Sequence, residues 1–103
     1  MNEEQFRQRA QEQGYGDFQT KDYAPNRDGP LHTHGFSVML LVVGGQFSLA
    51  FENGVTNYRP GEVCELAAGV AHTERTGPAG AKVLLAKRWA GASYALPTAF
   101  GGS

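Results

Sequence analysis

Leu31-His32-Thr33-His34-Gly35-Phe36-Ser37-Val38-Met39-Leu40-Leu41-Val42-Val43 is the stretch on which the reading of this chain turns. Side chains alternate between the two faces of a strand, so His32 and His34 share a face that Phe36, Val38, Leu40 and Val42 continue. A third imidazole arrives later, in Gly61-x5-Ala67-x-Gly69-x2-His72, where glycine turns frame a further strand. Three neutral imidazoles drawn to one point make a transition-metal site. The pattern predicts a metal held in a small β-barrel by His32, His34 and His72.

Working outward, short strands and tight turns continue in both directions. Upstream, Asn2 and Gln5 have the spacing of a capping box, Glu3 and Glu4 suit a first helical turn, and Gly14 suits a stop. These signals predict one helix over residues 3–13. Its apolar stripe is thin, Phe6 and Ala10, so it is expected to lean on the barrel and add little stability. A strand over 18–23 ends at Pro25 and the turn Asn26-Arg27-Asp28-Gly29-Pro30. Downstream, Gly44-Gly45 bends the chain, and Phe47, Leu49 and Phe51 alternate with Gln46, Ser48 and Ala50 as in a half-buried strand. Asn53-Gly54 accepts the positive φ of a type I′ hairpin turn. Strands are predicted over 55–58, 62–66, 72–76 and 83–88, with 77–80 as a loop. About seven or eight strands and one helix make an all-β closed barrel or jelly roll.

The totals agree. A chain of 103 residues has room for one domain, divided into the helix, a barrel over 18–88 and a tail over 90–103. With 14 glycines and 5 prolines it suits many turns. A net charge of −1 without a basic patch excludes phosphate-driven nucleic-acid binding and a polybasic membrane surface. The longest apolar run, 36–43, is far too short to span a bilayer. Cys64 is the only cysteine, which leaves no internal disulfide. The start, Asn2-Glu3-Glu4, is neither basic nor apolar, so the expected location is the cytoplasm.

From Gly29 to Arg88 the chain resembles a small single-domain cupin. That family's first motif is a His-x-His pair, a glutamate three or four residues on, and then a glycine. His32, His34 and Gly45 match it, while the acid's place falls on Val38, or on Ser37 with a bulge. Its second motif is matched by Gly61, Gly69 and His72, with Ala67 in place of a proline and Thr76 in place of an asparagine. The resemblance implies a divalent transition metal inside the barrel (iron, zinc, manganese, nickel or copper). It also implies frequent homodimers, but no single reaction.

Without the acid, three neutral histidines leave a divalent ion near its full charge, with positions open for substrate or dioxygen. Period-two counting places Glu74 and Thr76 on the face of His72. Glu74 is read in two ways. Facing inward, it is a candidate catalytic base, fourth ligand or partner to an imidazole; facing outward, it is a rim carboxylate paired with Arg75 or Lys82. Glu62 is expected to serve its turn, Tyr23 and Tyr58 to pack near the mouth, and Cys64 to be a small buried hydrophobe.

Three functions fit these residues. The first is a metal-dependent oxygenase, isomerase or lyase whose substrate is a small molecule in a cavity walled by residues such as Phe36, Val38 and Leu40. The second is a non-catalytic cupin that binds or senses a small-molecule ligand. The third is a metal-stabilised homodimer, with Trp89, Tyr94 and Phe100 covering an edge strand across a two-fold axis.

Overall fold

The computed structural model describes residues 1–89, so the expected tail over 90–103, with Tyr94 and Phe100 of its edge-covering set, lies outside the described residues. Trp89 ends the last strand against Phe36. The elements run α1 (Glu3–Glu12), β1 (Gly16–Tyr23), β2 (Phe36–Phe51), β3 (Gly54–Tyr58), β4 (Val63–Leu66) and β5 (Thr73–Trp89). All strand pairings are antiparallel, in the order β1-β5-β2-β3, with β4 also paired to β2. β2 lies against β5 along nearly its whole length. Its other edge takes β4 first and β3 after the bend.

Five strands thus replace the seven or eight expected among these residues, because two glycine signals bend strands rather than end them. Gly44 and Gly45 stay inside β2, and residues 77–80 stay inside β5. The two irregularities face each other: Gly45 pairs with Ala81, Phe47 pairs with Thr76, and the register shifts between them. The extra residues on β5 form a bulge, which is where a strand tolerates Pro78 without losing a ladder donor. Gly45 has φ +75°, and a Cβ there would collide with the Gly80 carbonyl oxygen. Both strands therefore turn at one level and wrap the sheet around a core.

Each face of the sheet has its own apolar cluster. Inside, Val38, Leu40 and Val42 of β2 meet Phe47, Leu49, Val83, Leu85, Cys64 and Tyr23. Outside, Met39 and Leu41 alternate with them and pack with Leu84 and Ala86 under Phe6 and Ala10 of α1. Covering on both faces explains why residues 38–43 and 83–86 read as continuous apolar runs. The helix has the expected capping box, with Asn2 accepting from the Gln5 N–H. It does more than lean, however. Phe6 and Ala10 are both 0% exposed, and Phe6 meets Phe18 edge to face with ring centroids 6.3 Å apart.

Two substitutions test this arrangement by urea unfolding. Gly45→Ala should cost at least about 2 kcal/mol through strain and overpacking, while Gly44→Ala, with open space around its Cβ, should change little. Phe6→Ala should cost about 3–5 kcal/mol, as expected for truncating a fully buried aromatic.

Candidate metal centre

His32 and His34 lie just before β2, not within it as the alternation implied. Another ladder aligns them. His32 and His72 exchange backbone hydrogen bonds, N to O, at 2.9 and 3.0 Å. Such a pair points both side chains to the same face. The Gly69 N–H donates to the His34 carbonyl at 2.9 Å, from a turn whose φ of +81° favours glycine. Backbone bonds therefore join the two histidine segments directly.

The loop leading to His32 is tied along the start of β5. The Gly29 N–H donates to the Glu74 carbonyl at 3.1 Å, and the Thr76 N–H to the Arg27 carbonyl at 3.0 Å. The Thr76 hydroxyl accepts from the Arg27 N–H at 2.8 Å and donates to the Ala24 carbonyl at 2.6 Å. Thr76 therefore holds this loop and takes no part in the histidine cluster. Arg75 pairs with Asp28 at 2.9 Å, so the outward reading of Glu74 as its partner does not hold.

Instead, Glu74 joins the histidines. The three imidazole centroids are 4.4, 4.8 and 5.0 Å apart. Glu74 Oε2 lies 3.9 Å from His72 Nε2 and 4.0 Å from His32 Nε2. One potential ligand atom from each of His32, His34, His72 and Glu74 falls within 4.8 Å of all the others. The first motif lacks its acid, yet the cluster contains a carboxylate, delivered by β5 two residues beyond His72.

The hydrogen bonds fix which nitrogens are available. His32 Nδ1 lies 2.8 Å from the Pro30 carbonyl and His72 Nδ1 lies 2.9 Å from the Val70 carbonyl. A carbonyl only accepts, so each Nδ1 carries the proton and each Nε2 presents a lone pair toward the cluster. His72 is wholly buried, and its Nε2 has no hydrogen-bond partner. A buried polar atom left this way is costly unless something binds it. The donor set and this orphaned nitrogen both fit a divalent transition ion. His34 stacks on Phe36 at 4.8 Å, and its pKa is pushed down by burial, by His32 and His72, and by Lys21 nearby. A depressed value keeps the imidazole in the neutral form that ligation requires.

A cavity of about 210 Å³ opens beside the cluster, with His34 and Glu74 on its wall and Phe36, Val38, Leu40 and Leu85 as apolar lining. Tyr23 lines it as well, its hydroxyl pushed well above the ordinary phenol range by burial and by the Glu74 charge. Tyr58 is half-buried against the inner cluster, and Glu62 caps its turn by accepting from the Arg59 N–H at 2.7 Å.

No protein-family model matches the chain, and no curated protein matches its sequence. Solved structures do match it. An RmlC-like cupin from Shewanella frigidimarina aligns with a TM-score of 0.61 at 18% identity, over 76% of this chain and 69% of that one. The chain has the cupin fold. A cupin-2 domain protein from the same organism gives 0.59 at 20% identity, over 71% of each chain. An oxalate decarboxylase from Lactobacillus farciminis gives 0.59 at 17%, over 68% of this chain but only 22% of its own length. These likenesses concern the cupin fold alone. No described helix is long and apolar enough to cross a membrane.

Cys64 is buried in the inner cluster of the cupin sheet, and its thiol is pushed up to about 12, chiefly by burial. The reactive species is the thiolate. Alkylation by iodoacetamide at pH 8 should therefore be at least about a hundredfold slower in the native protein than in urea; equal rates would place Cys64 at the surface.

Proposed function

We propose that this chain is a small metal-binding cupin enzyme acting on a small molecule held in its cavity, as an oxygenase, isomerase or lyase. His32, His34 and His72 hold the ion, and Glu74 is the fourth donor. One observation carries this reading: the fully buried His72 Nε2, unpartnered, points its lone pair toward two other imidazoles and a carboxylate.

A divalent ion bound here supplies Lewis acidity or, for a redox-active metal, oxygen chemistry. The residues of the chain do the rest. The Pro30 and Val70 carbonyls hold two imidazoles in the ligating tautomer, which is the usual role of groups behind a ligand. The apolar wall from Phe36, Val38, Leu40 and Leu85 limits water around the reacting molecule and strengthens electrostatic contacts within the cavity. Glu74 is only 13% exposed and, among the described residues, is the one carboxylate on the cavity wall. It is thus the group placed to take a proton from a molecule bound there. Tyr23, kept protonated at neutral pH, shares the cavity wall with this carboxylate.

Elemental analysis of protein purified without added metal should find a near-stoichiometric divalent transition ion, with a severalfold lower content in His34→Ala. Metal-free wild type, or equal content in the two proteins, would sink the reading. Glu74→Gln should still take up metal through the imidazoles but release it to a chelator about 10–100-fold more readily. An unchanged chelator titration would remove Glu74 from the ligand set. A molecule that binds tightly and is recovered unchanged after prolonged incubation with the metal-loaded protein would favour a sensing role instead.

A further inference from the structure

The lining of the cavity carries two ammonium groups beside its apolar residues. Lys21 lies between Gln19 and Tyr23 on β1, and Lys87 follows Leu85 on β5; all five line the cavity. Strand alternation places both lysines at inward positions, where Tyr23 and Leu85 are core residues. An inward lysine on an edge strand such as β1 can serve simply to discourage strand pairing. Lys87 has no such explanation, because it pairs with Val38 on one side and Gly16 on the other.

Aromatic rings hold these cations at the cavity wall. Lys87 Nζ lies 4.7 Å from the centre of the Phe36 ring, and Lys21 Nζ lies 4.9 Å from that of Tyr23. The Phe36 ring also stacks on His34, so one ring contacts both the Lys87 ammonium and a member of the histidine cluster. Among the described residues no carboxylate pairs with either lysine. With a divalent ion in place, the cavity holds the ion's charge and two ammoniums against the single charge of Glu74. Such a site repels cations and favours anions.

Resting on the metal-site reading above, we propose that the substrate is a small organic acid of a few carbon atoms. Its carboxylate faces Lys21 and Lys87, and its apolar part lies on Val38, Leu40 and Leu85 next to the metal. A cavity of about 210 Å³ is smaller than usual drug-sized sites, which suits a molecule of a few carbon atoms. Unpaired cations beside apolar walls match a molecule with one charged end and one hydrocarbon end.

The test is a titration of the full-length, metal-loaded protein with butyrate, butyramide and inorganic phosphate, followed by amide chemical shifts. Butyrate should bind at least about tenfold more tightly than its neutral amide, with shifts centred on β1, β5 and Phe36. Lys21→Met/Lys87→Met should lose that preference while keeping its metal content, and Lys21→Arg/Lys87→Arg should retain it. The single Lys→Met variants give the same reading should the double variant not fold. Equal binding of butyrate and butyramide, no binding of either, or equal binding of phosphate would overturn the proposal. Elemental analysis of each sample reads the metal site separately. If the wild type holds no ion, the same comparison on the metal-free protein still decides the lysines' role, because their charge does not depend on the ion.

Discussion

The antiparallel ladder between β2 and β5 is the constraint on which the rest of this structure depends. These are the two longest strands, and they turn together where Gly44 and Gly45 face the bulge that ends at Gly80. A bend in only one of them would tear the ladder and leave buried backbone groups unpaired, at a cost like that of lost hydrogen bonds. Bending both at one level keeps the ladder and curls the sheet. That curl gives one face a concave apolar core and leaves the other for α1. It also lets the first residues of β5 run beside the loop that carries His32.

The candidate metal centre follows from that placement. His72 is fully buried, and burying a polar ring is unfavourable unless its nitrogens are satisfied. One nitrogen is bonded to the Val70 carbonyl and the other faces the cluster. An ion that binds the folded chain and not the unfolded one would offset this cost and stabilise the domain by mass action. The same concave wall places Tyr23, Glu74 and two lysines around a small apolar cavity. Charge, burial and shape thus meet at one end of the sheet, and there a cupin fold acquires individual chemistry.

Much of the design was legible in residue order. The capping box at Asn2, the hairpin at Asn53-Gly54 and the inward set Val38, Leu40, Val42, Phe47 and Leu49 follow from local rules of spacing and turn chemistry. The structure keeps the capping box and the inward set. It keeps the hairpin as well, but turns it at Glu52-Asn53, with Gly54 already paired to Phe51 and no positive φ at Asn53, so the type I′ turn at Asn53-Gly54 is not formed. The strand count was misread because Gly and Pro signals mean a turn in isolation, and only a partner strand shows that they form a matched bend. The helix was underrated for a similar reason. Two apolar residues make a thin stripe, but both fit entirely into a groove supplied by Met39, Leu41 and Leu84.

Sequence alone determined the three imidazoles, the β architecture around them and the absence of an acid at its usual place, because these depend on residue type and local spacing. The tertiary structure decided that Glu74 joins the histidine cluster, that Thr76 serves the loop, and that Lys21 and Lys87 line the cavity. Those outcomes depend on which strand lies beside which and on where the ladder bends. No periodicity along the chain encodes a contact between residues brought together only by the curl of the sheet.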